Sequence, residues 1–173
     1  MLNHFPIELC CTHQSERFQF GFAKRALEVL SHDDGTAYQP GPGGLTIVAE
    51  TEMALERPVR KLAEVFGDEV RIGAPKVRYR NGYGLEQPVM GLRALCSPDH
   101  YEAILEDLHG RGASILDAEV NRRFGIVRAC APLAMLLGYP DALRRMTDSK
   151  VHLVMWLSHY EQVKPGPPEG TAA

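Results

Sequence analysis

The sequence lacks the long apolar runs that mark membrane spans and secretory signals. No stretch of about eighteen uncharged apolar residues occurs among its 173 residues, so we expect no membrane-spanning helix. The first residues, MLNHFPIELCC, contain no basic stretch followed by an apolar core, which disfavours a signal peptide. The sequence therefore predicts a cytoplasmic protein.

Cysteine is also scarce, and its spacing is unlike that of a disulfide or zinc framework. The chain has four cysteines, Cys10, Cys11, Cys96 and Cys130, and no C-x-x-C pair. Without a secretory signal we expect them to be reduced and mostly buried thiols. A metal site built from Cys10, Cys11 and His13 is an alternative, but zinc sites usually show paired C-x-x-C or H-x-x-x-H spacings. We predict no metal and no cofactor.

Neither half of the chain has an excess of positive charge. The formal net charge is -3, and residues 1–84 carry 10 Lys and Arg against 11 Asp and Glu. Residues 85–173 carry 9 against 11. A protein held on nucleic acid by phosphate neutralisation alone normally shows a basic face. We therefore expect any RNA contact to be local, and we do not expect DNA as a partner.

Motifs that would indicate catalysis are absent from the sequence. It contains neither the phosphate loop G-x-x-x-x-G-K-[ST] nor G-x-G-x-x-G. Its seven histidines do not stand with a serine or cysteine and an acid in a nucleophile arrangement. His159-Tyr160-Glu161 is the most suggestive group, and we interpret it as structural. Asp33-Asp34 and Glu106-Asp107 are interpreted as solvated helix ends. The sequence therefore predicts a protein that is not an enzyme.

The first half shows the element order βαββαβ. A strand is predicted from Pro6 to His13, and a helix capped by Ser15 follows it as far as Ser31. Two hairpin strands, a second helix and a fourth strand come next; they are Thr36–Gln39 with Leu45–Ala49, the helix from Met53 to Phe66, and Glu69–Arg80. Pro58 predicts that the second helix either starts near Arg57 or is kinked, since an internal proline costs about 3 kcal/mol.

The same order repeats after a turn-rich joint at residues 81–84. Val89–Cys96 is a predicted strand, Ser97-Pro98 begins a helix, and two hairpin strands follow at residues 115–120 and 125–131. A helix opened by Pro140 leads to a last strand in which Val151, Leu153, Met155 and Leu157 share one face, while His152, Trp156 and Ser158 share the other.

Two such units predict an α+β fold of two tandem ferredoxin-like (βαββαβ) domains, with antiparallel sheets that are each covered by two helices. We place the domains at residues 1–82 and 85–164. Residues 165–173 should be disordered, because their Pro- and Gly-rich composition cannot bury apolar area.

Several motifs resemble those of elongation factor G. In the second half, residues 97–101 (SPDHY) resemble the T/S-P-E-x-Y helix start of its domain V. The further matches are to its VPL, FGY, LRS-T and DHYE motifs and lie at Pro132-Leu133, Gly138-Tyr139, Leu143-Arg144 with Thr147, and His159-Tyr160-Glu161. In the first half, residues 51–56 (TEMALE) and 72–80 (IGAPKVRYR) resemble the G-E-L-H-L-E and VGxPxVxYRE motifs of domain III.

The resemblance implies domains III and V without the GTPase domain, domain II or the tRNA-mimicking domain IV. It also implies a ribosomal or translation-factor partner, such as a separate protein that carries the GTPase domain. Some family positions differ here: Ala54 replaces the histidine of G-E-L-H-L-E, Arg111-Gly112-Ala113 replaces R-R-G, and Ser149-Lys150-Val151 replaces a glycine-flanked arginine.

Three basic clusters and one further arginine are candidate contacts with RNA or a partner, because arginine binds phosphate bidentately. Alternation along a strand would place the members of one cluster on a single sheet face. The candidates are Arg122 and Arg123 at a hairpin tip, Arg144 and Arg145 on a helix, Arg111, and the strand cluster Lys76, Arg78 and Arg80. A solvated face balanced by acids is the alternative for each cluster. Sheet faces that expose Arg128, Trp156 or Tyr79 are further candidates.

The sequence thus predicts a non-catalytic, translation-factor-like protein that binds the ribosome or a translation-related protein without hydrolysing GTP. The alternative is a ferredoxin-like interaction or regulatory module, unrelated to the ribosome, that forms a homodimer or binds a small ligand through an open sheet face or the cleft between its domains.

Overall fold

The chain forms two antiparallel sheets, each with helices packed on one face, in a computed structural model that describes residues 4–31, 33 and 35–163. The predicted α+β fold of two tandem ferredoxin-like units is confirmed. The residues predicted to form a disordered tail lie outside the described residues. Among the helices described, none is long and apolar enough to cross a membrane.

The N-terminal unit has its first strand in the middle of its sheet. Its strands are β1 (Ile7–His13), β2 (Thr36–Gly41), β3 (Gly44–Ala49), β4 (Val70–Ile72) and β5 (Lys76–Val77), and its helices are α1 (Gln19–Val29) and α2 (Glu52–Phe66). The sheet order is β2-β3-β1-β4, and β5 also pairs with β1. This is the strand order of a ferredoxin-like βαββαβ unit, in which each helix crosses back over the sheet.

One local prediction for this unit is wrong, and one of the two alternatives for a second is excluded. Ser15 makes no side-chain cap, and a short 3-10 turn precedes α1, which begins at Gln19. The Gln19 side chain bonds the incoming chain instead: its Nε2 donates to the carbonyls of His13 and Ser15 at 2.8 and 3.1 Å. The helix α2 starts at Glu52, which excludes a start near Arg57, whereas the kink at Pro58 stays a prediction. Pro58 lies on the buried stripe of α2 with Leu55, so burial of its ring offsets the lost hydrogen bond.

The C-terminal unit repeats the plan with longer strands. Its strands are β6 (Arg80–Asn81), β7 (Leu85–Cys96), β8 (Ser114–Val120), β9 (Gly125–Pro132) and β10 (Val151–Gln162), and its helices are α3 (Pro98–Gly110), α4 (Leu133–Leu136) and α5 (Tyr139–Met146). The sheet order is β10-β7-β9-β8, and β6 also pairs with β7. The single-turn helix α4 was not predicted from the sequence.

One face of the second sheet is covered and the other is open. The core-facing residues of β7 include Leu92 and Ala94, which are fully buried, whereas Arg93 between them is exposed. Along β10 the predicted alternation is confirmed: residues 151, 153, 155 and 157 are partly buried and residues 152, 154, 156 and 158 are exposed. A bulge between Leu157 and His159 then shifts the register with β7.

Candidate functional site

The β8–β9 hairpin presents two arginines on a turn that its own side chains hold in shape. The Asn121 Oδ1 atom accepts hydrogen bonds from the backbone N–H groups of Arg123 and Phe124, at 2.8 and 3.1 Å. The Asn121 N–H donates to the Phe124 carbonyl at 2.9 Å. Asparagine favours such turns because its amide mimics a backbone carbonyl. Arg122 and Arg123 are exposed, and their guanidinium groups have no partner among the described residues.

The two arginines of α5 have different roles. The Arg144 Nη2 atom lies 2.6 Å from Glu56 Oε1 of the N-terminal unit, and its Nη1 lies 3.2 Å from Asp141. These bonds raise the pKa of Arg144 and keep it protonated. Arg145 points into solvent, and within the described part of the chain it has no ion-pair or hydrogen-bond partner. Arg144 therefore stabilises the contact between the units, whereas the Arg145 guanidinium is available to an external partner.

These exposed cations lie toward the same end of the second sheet. The strand register aligns Val151, Cys96, Gly125 and Val120 across the four strands, so β10 begins at the same end of the sheet as the β8–β9 hairpin tip, with β7 between β10 and β9. The last turn of α5 leads directly to the start of β10. We call Arg122, Arg123, Arg145 and Lys150 the cationic end.

A second bond between the units joins the starts of α2 and α5. Thr51 caps α2, its Oγ1 accepting from the Ala54 N–H at 3.3 Å, and this cap sets Glu52 in the first turn. Both carboxylate oxygens of Glu52 accept from the Gly138 N–H, at 3.0 and 2.9 Å. Burial raises the pKa of Glu52, the Gly138 N–H opposes this shift, and the nearby Asp141 adds to it.

A groove of about 330 Å³ lies beside this bond. Both units line it: Met53 and Ile72 belong to the first, and Pro140 belongs to the second. Two carboxylates of α2, Glu52 and Glu56, border the groove and hold the units together at its rim. The sequence placed both acids within a family motif, but nothing local to that motif indicated that they bind the other unit.

Arg111 is a structural residue rather than an available cation. Its Nε lies 2.7 Å from Asp107 Oδ2, and its Nη1 donates to the Met135 carbonyl at 3.2 Å. Its guanidinium also lies 4.9 Å from the ring centroid of Tyr139, which is fully buried. The hydroxyl of Tyr139 is buried and has no hydrogen-bond partner among the described residues. Arg111 thus ties the end of α3 to α4 and α5.

The prediction that Lys76, Arg78 and Arg80 share one face of one strand is wrong. Lys76 is in β5, Arg78 lies outside any strand, and Arg80 is in β6, which pairs with β7 of the other sheet. The chain leaves the first sheet here, because Gly73 and Pro75 interrupt its fourth strand and Pro75 has no N–H to donate. Strand alternation therefore does not continue through the segment.

The three side chains accordingly have separate surroundings. Lys76 is exposed. The Arg78 Nη1 atom donates to the Phe5 carbonyl at 3.0 Å, and its Nε lies 3.5 Å from Glu8. Arg80 pairs with Glu86, and its guanidinium lies 3.8 Å above the centroid of the Tyr160 ring.

The other chemical candidates are dispersed. Glu161 accepts from Gln87 at 3.0 Å, and His159 contacts its neighbour Ser158. The described residues contain no group of His, Cys, Asp or Glu that would hold a metal ion. All four cysteines are free; Cys10 is exposed, and Cys11 is buried against the core.

The sequence comparisons point to one family. Residues 85–170 match the family Elongation factor G C-terminus. The chain is 35% identical over 77 residues to Elongation factor G 1 of Syntrophomonas wolfei, a match that covers 44% of this chain and 11% of that protein. It is 33% identical over 79 residues to Elongation factor G of Fervidobacterium nodosum, over 46% of this chain and 11% of that protein. The chain therefore spans about a tenth of the length of these curated relatives.

A structural comparison extends the similarity to both units. The crystal structure of a protein from Thermus thermophilus aligns with a TM-score of 0.67 at 17% identity, over 93% of this chain and 41% of that chain. At this identity the similarity establishes the fold alone. The family match leads to one conclusion: residues 85–170 belong to the Elongation factor G C-terminus family, and over this half the chain is elongation factor G-like.

Proposed function

We propose that this chain is a non-catalytic, translation-factor-like protein that binds the ribosome through its cationic end. On this proposal the N-terminal unit corresponds to domain III of elongation factor G and the C-terminal unit to domain V, with the boundary between β5, which ends at Val77, and β6, which begins at Arg80. The protein acts in the cytoplasm, where ribosomes work. No phosphate loop occurs in the 173 residues, so on this proposal they bind the ribosome and do not hydrolyse GTP.

The observation that carries the proposal is that some arginines of the family-matched unit are paired within the protein and others are not. Arg111 and Arg144 are held by carboxylates of the protein itself. Arg122, Arg123 and Arg145 have no such partner within the described residues and share one end of the sheet. Guanidinium groups that are exposed, that lie at one end of a sheet and that have no internal partners are suited to bidentate contacts with RNA phosphates.

The shape of the hairpin tip supports the same interpretation. The Asn121 bonds fix the backbone of the turn, so presenting Arg122 and Arg123 to a partner costs little further backbone entropy. The chain as a whole carries a net charge of -3, so attraction to RNA depends on this local cluster rather than on the overall field.

Sedimentation of the protein with purified ribosomes at graded salt tests the proposal. The triple variant R122Q/R123Q/R145Q should lose most co-pelleting. It should also reduce the slope of log binding constant against log salt by about two to three, given roughly 0.7–0.9 per phosphate contact. The matched control is R57Q/R60Q/K61Q, which removes the same charge from exposed positions on α2.

Two results would overturn the proposal. One is the absence of pelleting even at low salt. The other is equal loss of binding in both triple variants, which would indicate a net-charge effect rather than a surface. A parallel assay of phosphate release with GTP, with and without ribosomes, should give only the background rate.

A further inference from the structure

The open face of the second sheet carries the single tryptophan of the chain against a glycine. Trp156 is in β10, directly opposite Gly91 of β7. A Cβ atom built on Gly91 would lie 2.5–2.6 Å from three atoms of the indole, namely Cε2, Cζ2 and Nε1. Three nearly equal distances to neighbouring ring atoms mean that the ring lies flat over the Gly91 backbone. Trp156 is 45% exposed, so part of the indole remains accessible to solvent.

Two arginines face each other one step along the same sheet surface. Arg93 of β7 is directly opposite Arg128 of β9, and the next pair on the same face of these strands is Gly91 with Cys130. Like charges in directly opposed positions destabilise a sheet. Asp117 of β8 lies 3.2 Å from Arg128, and both side chains are about half exposed. Arg93 is exposed and has no partner in the described part of the chain.

The rest of the face limits how tightly it can bind a polyanion. The next row places Glu119 opposite Ile126, and Ile126 opposite Leu95. The acids Asp117 and Glu119 are in β8, which is at the opposite edge of the sheet from β10 and its Trp156. The positive charge of the face therefore lies on its two central strands, and Arg93 is on the strand next to that of the indole.

We propose that this face binds single-stranded RNA, with one base stacked on the exposed part of Trp156 and the adjoining phosphate held by Arg93. A flat aromatic ring can stack on any planar base, and Arg93, unlike Arg128, has no carboxylate partner in the described part of the chain, so its charge is available to a phosphate. An unpaired strand supplies both together, whereas the bases of a duplex are already stacked on one another. The proposal goes beyond ribosome binding by the cationic end, because it uses different residues and needs no ribosome.

Gly91 is the residue that makes the platform possible. Any larger residue would push the indole off the strand, because the added Cβ falls well inside van der Waals contact. An indole held against backbone also loses little rotamer freedom when a base stacks on it, which favours binding.

The test is a titration of short fluorescent RNA oligomers followed by anisotropy, with duplex RNA as comparison. We expect the single strand to bind and the duplex to bind more weakly. W156L should weaken single-strand binding by about 5-fold or more, since stacking of one base contributes about 1–3 kcal/mol. W156F keeps a ring and should restore most of the affinity. R93Q should lower the salt slope by about 0.7.

The control variant is Y83L, which removes a fully exposed aromatic ring outside the sheet face and should bind like the unmodified protein. Circular dichroism establishes that each variant is folded. W156L should still pellet with ribosomes. R122Q/R123Q/R145Q should still bind the oligomer more tightly than W156L does. These two results distinguish a failure of the RNA proposal from a failure of the ribosome proposal.

Three outcomes would overturn the RNA proposal. The folded W156L variant could bind the oligomer as well as the unmodified protein does, or the duplex could bind as well as the single strand. The third outcome is a concentration-dependent dimer, abolished by W156L and unaffected by oligomer, which would identify the face as an interface between two copies of the chain.

Discussion

Replacing Glu52 tests how the two units are held together. Its two carboxylate oxygens share the N–H of Gly138, at 3.0 and 2.9 Å, across the junction between α2 and α5. E52Q keeps one carbonyl oxygen in the same place and removes the charge. E52A removes the acceptor and leaves the Gly138 N–H without its partner. The pair of variants therefore separates the effect of the hydrogen bond from the effect of the charge.

The expected magnitudes differ between the two variants. A hydrogen bond to a charged group is worth about 1.5–3 kcal/mol, and a partly exposed position reduces this figure, so E52A should lower the free energy of unfolding by about 1 kcal/mol. E52Q should stay within about 0.5 kcal/mol of the original protein, since it retains an acceptor and avoids the desolvation cost of a buried charge.

The pH dependence follows from the direction of the pKa shift. Burial raises the pKa of Glu52 above its usual 4.5, so the folded protein holds this proton more strongly than the unfolded chain does. The contribution of Glu52 to stability is therefore greatest at low pH and falls as the pH rises through the window between 4.5 and the raised pKa. E52Q cannot titrate, so this fall should be absent from its stability profile.

Urea unfolding at about pH 4.5 and about pH 7.5 measures these differences. Trp156 is the only tryptophan, so its emission reports the C-terminal unit, while far-UV circular dichroism reports both units. D99N, at an exposed helix start away from the junction, serves as the control for a lost carboxylate. An E52Q variant that loses as much stability as E52A at both pH values would refute the reasoning. So would an unchanged difference between E52Q and the original protein at the two pH values.

Three further predictions follow from single contacts. Y139F should raise the free energy of unfolding by about 1 kcal/mol in a urea titration, because the hydroxyl of Tyr139 is buried without a partner among the described residues; a loss of about 1 kcal/mol or more would mean that the hydroxyl is bonded. G44A should destabilise the protein by about 2 kcal/mol or more, measured in the same way, because Gly44 has a φ of 116° and its Cβ would meet the Cys11 carbonyl; G43A, which has open space, is its control. Cys10 should react with a thiol reagent in the folded protein, whereas Cys11, whose pKa burial raises to about 12, should react only on unfolding; equal rates by mass spectrometry would contradict this order.

Much of the fold could be predicted from local patterns. The alternation of apolar and polar residues from Val151 to Ser158 predicted both the strand and its two faces, because successive side chains of a strand point to opposite sides. Proline and glycine located the turns and the start of α5. The order of helices and strands is compatible with few sheet topologies, and the ferredoxin-like topology is found in both units.

The local predictions failed where residues that are close in sequence are not close together in the folded protein. Lys76 and Arg80 lie close in sequence but belong to different sheets. Ser15 has the chemistry of a helix cap, yet the longer side chain of Gln19 makes the bonds to the incoming chain. Both outcomes depend on how the segment packs, which residue type and spacing do not specify.

The sequence by itself determined most of the elements, their order and the family relationship, because each depends on residues a few positions apart or on short motifs that can be matched in the sequence. The tertiary structure alone decided which cations are available. Arg144 is paired with Glu56, 88 residues away, while its neighbour Arg145 is not. It also decided that Trp156 lies on Gly91 beside a pair of opposed arginines. Ion pairs and stacked rings act over a few ångströms, so only the packing of distant segments can assign them.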